Sequence, residues 1–190
     1  PVLTTRWLLG LATGSALATW AAIGLGTYLV SAALDRGFSE SAAGWLQFVG
    51  SAVSIGARIG VGVLTDRYRW SGFGGIATLT GIGAIVFATL PVTASVWFVI
   101  GVLAAYATGW GWPGLMTFTV VNSNRRSVAS SSAITQAGVF VGAGAGPLLL
   151  GYVIERGSFD AAWITVAWGL AGATAIILVV RARLAATVRA

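Results

Sequence analysis

Six apolar runs, set apart by short charged breaks, constrain this chain more than any single motif does. They cover residues 7–34, 38–65, 72–90, 94–121, 128–154 and 161–180. Each exceeds the roughly 18 residues at which an apolar stretch reads as a membrane-spanning helix. None alternates with the two-residue period of an outer-membrane barrel strand. Only helices or closed barrels satisfy the backbone inside lipid, so the runs predict six transmembrane helices. Composition agrees: 57% of the 190 residues are hydrophobic and 8% are charged. A soluble domain carries about 25% charged residues, and this supply could not cover a water-exposed globule. The first run is too long for a signal peptide and lacks a small-residue cleavage site after a short core. Pro1 stands where an initiator would, and Met116 is the only methionine, so the chain is expected to be processed or a piece of something longer.

What is missing narrows the chemistry. There is no His and no Cys, so the usual zinc and iron ligands, thiol chemistry and disulfides are excluded, and no metal or cofactor is expected. Ser-His-Asp and Cys-His catalysis lose their base. An intramembrane protease would need a His or paired intramembrane Asp, and the runs hold neither; the chain is not expected to be an enzyme. All eleven basic residues are Arg, against five acids, for a net charge of +6. They sit singly or in pairs between apolar runs, a topology signal rather than a nucleic-acid patch.

With six spans, Arg6, Arg67, Arg69, Arg125, Arg126, Arg181, Arg183 and Arg189 fall on one side of the membrane, and Arg36 and Arg156 on the other. Eight against two places both termini in the cytoplasm by the positive-inside rule, in an inner membrane of bacterial type. The chain also repeats. Gly62-Val63-Leu64-Thr65-Asp66-Arg67 closes the second run and Gly151-Tyr152-Val153-Ile154-Glu155-Arg156 closes the fifth. The copies lie on opposite sides, as in three helices followed by an inverted copy of three, an arrangement common in transporters. Chance likeness between helix-ending turns is the competing explanation.

The segment Gly62-Val63-Leu64-Thr65-Asp66-Arg67-Tyr68-Arg69 resembles the G-x-L-x-D-R-x-G-R signature between the second and third helices of a half in the major facilitator superfamily. It departs where Tyr68-Arg69-Trp70 stands for Gly-Arg-Arg. Gly62 permits close helix approach, Asp66 can face the positive N-terminus of a helix, and Arg67 can pair with an acid or anchor to headgroups. The resemblance implies that Gly62, Asp66, Arg67 and Arg69 latch one of two alternating states; ordinary loop charges are the bland alternative. The fourth run lacks the Arg common in amino-terminal halves and reads Gly109-Trp110-Gly111-Trp112-Pro113-Gly114-Leu115. That order is similar to the carboxy-terminal half, helices seven to twelve, of bacterial facilitators. A complete facilitator needs two such halves, which makes an amino-terminal six-helix half, or a second copy of this chain, the expected partner.

Gly138, Gly142 and Gly146 recur every four residues before Pro147 and form one smooth ridge on the fifth helix. They resemble part of the glycine-proline motif of antiporters in the family, although close packing and a helix bend suffice to explain them. Gly56 and Gly60 give the second helix a smaller version; the two ridges are expected to meet or to face the absent half. Arg58 lies eight residues before Asp66, roughly 12 Å along a helix from the boundary, close to the bilayer midplane at about 15 Å. No acid lies deep in any run to neutralise it. In organic-anion branches of the family, such as oxalate–formate exchangers and monocarboxylate transporters, an Arg at this spacing binds substrate carboxylate. Snorkelling to the cytoplasm, or an ion pair with the other half, are its alternatives. Trp20, Tyr106, Trp110 and Gln136 lie at mid-depth in runs whose family counterparts line the cavity, with packing as the alternative. Trp7, Trp45, Trp97 and Trp163 read as interfacial belt residues.

The sequence thus predicts an all-α, six-helix membrane bundle, one half of a major facilitator fold. It would move a small solute, with an organic anion as the candidate class, by alternating access. A stand-alone homodimeric transporter and a non-transporting structural or sensor membrane protein are the other readings.

Overall fold

A computed structural model describes residues 3–68, 72–93 and 95–189. Among them run six helices: α1 (Thr5–Asp35), α2 (Glu40–Tyr68), α3 (Gly72–Thr89), α4 (Ser95–Ser123), α5 (Val128–Arg156) and α6 (Phe159–Arg189). A single 3₁₀ turn, Leu90–Val92, leads into α4, and the described residues hold no strand. All six helices are long and apolar enough to cross a membrane.

Most helices overrun the apolar runs that predicted them. α2 continues through Asp66 and Arg67, α5 through Glu155 and Arg156, and α6 well past residue 180 to Arg189. A charged side chain at the interface reaches headgroups while its backbone still gains from helical hydrogen bonds, so the helix outlasts the hydrophobic stretch. Where the chain must reverse, local chemistry stops it. α1 stops two residues before Gly37, whose φ of 83° is the left-handed conformation glycine adopts without steric cost. The N–H groups of Gly37 and Phe38 donate to the carbonyls of Leu34 and Ala33, closing the last turn. The Ser39 hydroxyl accepts from the Ala42 N–H at 3.2 Å and starts α2, and Ser158 does the same for Ala161 of α6 at 3.2 Å.

α1 packs against α5 and α6, α4 against α2 and α3, and α3 against α6. α1 and α4 therefore sit inside the bundle, while α2 and α5 stay largely exposed. The closest approach is α1 on α5. A methyl group on Gly138 would overlap the Ala12 carbonyl, one on Gly142 the Ala16 carbonyl, and one on Gly146 would lie 2.8 Å from the Trp20 ring. The four-residue ridge of α5 thus meets a four-residue series on α1, rather than the glycines of α2. Gly56, Gly60 and Gly62 have nothing within 4 Å of the position a Cβ would take, so the close approach expected at Gly62 is not made within these six helices.

Pro147 sits inside α5 without breaking it. The Tyr28 hydroxyl of α1 donates to the Pro147 carbonyl at 2.9 Å, and Gly151, one turn on, leaves that hydroxyl its space. Trp163 is fully buried, its ring centroid 6.0 Å from that of Phe87, which corrects the belt reading for this residue. Trp45 and Trp97 are well exposed, and Trp7 lies beneath the Arg6 guanidinium.

One clasp gathers each end of the bundle. Arg36, just after α1, donates to the Thr93 carbonyl just before α4 at 3.2 Å and pairs with Asp160 of α6 at 2.8 Å. At the other end Asn124, just after α4, accepts from the Leu3 N–H just before α1 at 2.7 Å. Its amide donates to the Leu3 carbonyl at 3.1 Å and to the Ser131 hydroxyl at 2.7 Å.

Candidate functional site

A cavity of about 550 Å³ opens among α1, α2, α4 and α5. α2 contributes Arg58, Val61, Gly62, Thr65 and Asp66, the spacing of one helical face. Gln136 and Val139 come from α5 and Thr19 and Ala22 from α1, each pair three residues apart. α4 supplies a continuous stretch from Gly109 to Leu115, then Thr117 and Phe118. The volume lies within the roughly 300–1,000 Å³ of small-molecule sites, and the composition, apolar with few polar groups, is of that kind.

Arg58 is held rather than loose. Its guanidinium lies over the Trp110 ring at 4.7 Å, and its Nε donates to the Trp110 carbonyl at 3.3 Å. A cation over an indole face is worth about 0.5–2 kcal/mol, more as water is excluded. With Nε committed, the two terminal nitrogens, the prongs that grip a carboxylate or phosphate, have no hydrogen-bond or ion-pair partner among the described residues. Asp66 lines the same cavity, exposed, and is likewise without an ion-pair partner among the described residues.

Of the five residues singled out as a substrate contact, the cavity brings together Arg58, Trp110 and Gln136. Trp20 is elsewhere: its ring is wedged between Gly146 of α5 and Gly169 of α6. Tyr106 is also elsewhere, almost fully buried, with its ring on Gly50 of α2 and its hydroxyl donating to Gln47 Oε1 at 2.8 Å. Gln47 in turn donates to the Gly26 carbonyl, a polar link from α4 through α2 to α1. Of the signature residues, Gly62 and Asp66 line the cavity, Arg67 is exposed at the end of α2, and Arg69 lies outside the described residues.

Sequence reasoning missed Thr19, Trp112, Thr117 and Phe118. A signal for the α4 residues was present. A span interrupted by Gly109, Gly111, Pro113 and Gly114 is the pattern that marks binding sites in transporter helices.

Six helices long and apolar enough to cross a membrane, four of them lining a partly apolar cavity, define a multi-pass membrane protein. The comparison with known families makes this particular: the profile of the Major Facilitator Superfamily matches residues 8–189. The chain belongs to that superfamily, whose members are transporters. Among curated proteins none matches the chain.

Proposed function

We propose that this chain is the carboxy-terminal six-helix half of a facilitator, moving a small organic anion across a bacterial inner membrane by alternating access, and that it is not an enzyme. The observation that carries the anion is Arg58. An arginine within a membrane-spanning segment is costly and faces a cavity or a partner. Here it faces a cavity, its Nε tied to α4 and both prongs unpartnered among the described residues.

Packing supports a 3+3 inverted repeat. Exchanging α1 with α4, α2 with α5 and α3 with α6 turns the α1–α5 contact into α4–α2 and the α1–α6 contact into α4–α3. It also carries Arg36 and Thr93 onto Asn124 and Leu3, two clasps joining the end of one inner helix to the start of the other. Gly62 and Gly151 correspond in the same way. In this reading Asp66 and Arg67 form the latch, and the exposed faces of α2 and α5, with Phe48, Ile59, Phe140 and Leu148, receive the remaining half of the transporter or a second copy of the chain.

Transport by the Arg58 variants tests the anion site. Arg58→Ala should abolish uptake of anionic substrate while the protein remains in the membrane, and Arg58→Lys should weaken it, because an ammonium lacks the planar fork. A hydrogen bond to a charged group is worth about 1.5–3 kcal/mol, or roughly ten- to 150-fold in affinity. Free substitution by Lys would instead indicate snorkelling. Normal binding by Arg58→Ala would end the anion reading.

A further inference from the structure

The cavity wall on α2 carries two opposite charges, and the anion reading uses one of them. Arg58 and Asp66 both line the cavity, eight residues apart, so that their Cα atoms lie about 12 Å apart along the helix. Between them the wall is apolar or bare: Val61, Gly62 with nothing within 4 Å of its missing Cβ, and the methyl-bearing Thr65, with Phe118 of α4 also in the lining. They form no ion pair with each other, and neither has an ion-pair partner among the described residues.

A simple organic anion satisfies Arg58 and lays its tail past Asp66. Closing the site over that complex would desolvate a carboxylate against hydrocarbon, a penalty that selects against the ligand. A ligand with a second, cationic end converts the penalty into an attraction. Resting on the carboxylate–Arg58 contact of the anion reading and narrowing its substrate class, we propose that the cavity recognises an elongated zwitterion: its carboxylate on the Arg58 fork, its apolar body over Gly62, and an ammonium group at Asp66. Asp66 is then a specificity-determining residue. It discriminates by end-to-end length, because a short zwitterion cannot reach both charges.

Equilibrium binding to the intact protein in lipid nanodiscs tests this without relying on transport, to which a latch role of Asp66 would also contribute. The probes are caprylate, ω-aminocaprylate and γ-aminobutyrate. The quantity read is the affinity ratio of ω-aminocaprylate to caprylate, which cancels any shift in the population of transporter states. The ratio should be about tenfold or more in the wild type, fall to about one or below in Asp66→Asn, and recover in Asp66→Glu. γ-Aminobutyrate should bind more weakly than ω-aminocaprylate in the wild type. A wild-type ratio near one, an unchanged ratio in Asp66→Asn, or γ-aminobutyrate binding as well as its longer homologue would each overturn the zwitterion proposal. The anion reading fails separately, if caprylate binds Arg58→Ala as well as wild type.

Discussion

At Gly142 the fold leaves no room for one methyl group. A Cβ there would overlap the Ala16 carbonyl and sit 2.8 Å from its carbon, and backbone atoms of a buried helix cannot swing aside as a side chain can. Association of helices in lipid rests on such close packing, since the tails outside are as apolar as the side chains inside. Gly142→Ala should therefore separate α1 from α5 and cost about 1–3 kcal/mol, the range for overpacking. Gly114, by contrast, has nothing within 4 Å. Gly114→Ala should be neutral or stabilise by up to about 1 kcal/mol through helix propensity. Thermal unfolding of both variants in one detergent checks the pair. Equal melting temperatures would mean that the ridge is not the contact holding α1 to α5.

α5, like α4, carries a proline inside the helix. Pro147 brings no N–H to the carbonyl one turn earlier and crowds it, yet α5 runs unbroken for 29 residues. Tyr28 ties this stretch of α5 to α1, through a bond to the Pro147 carbonyl that Gly151 leaves room for. Tyr28→Phe should cost about 0.6–1.7 kcal/mol, the range for side-chain hydrogen bonds between membrane helices, and hasten amide exchange around Gly151. Gly151→Ala should displace the same hydroxyl, so the double variant should be no less stable than the worse single one; full additivity would show that the two residues act independently. This tie also marks the limit of reading elements from sequence. Where the helices lie was legible, because hydropathy fixes depth. Which faces meet was not, because lipid-facing and neighbour-facing surfaces are both apolar and leave no stripe to read. The ridge at Gly138, Gly142 and Gly146 was recognisable as a packing surface, but nothing in it named α1 as its partner. Depth picked out Arg58 and Trp110 and, by the same logic, Trp20 and Tyr106, which share that depth but point into other seams of the bundle.

Across the whole molecule, the two clasps decide which turns share an end. Arg36 joins the α1–α2 turn to Thr93 and Asp160, so the α1–α2, α3–α4 and α5–α6 turns lie together. Asn124 holds Leu3 at the opposite end, beside the start of α5. Arg6, Arg67, Arg125, Arg126, Arg181 and Arg183 belong to the Asn124 end, and Arg36 and Arg156 to the other. Moreover, Arg36 is occupied by Asp160 and lies over the Phe98 ring at 4.4 Å, which lowers its weight as a topological charge further. The Asn124 end should therefore face the cytoplasm. The chain contains no cysteine, so single replacements report without background. Ser41 and Glu155 are exposed at the Arg36 end, and Ser127 is exposed at the Asn124 end without a capping bond to lose. A membrane-impermeant maleimide added to intact cells should label Ser41→Cys and Glu155→Cys and leave Ser127→Cys untouched until the membrane is opened. Labelling of Ser127→Cys alone would invert the molecule and put the Asp66 end of α2 outside. Labelling of Ser41→Cys without Glu155→Cys would break the pairing of ends that Arg36 and Asp160 impose.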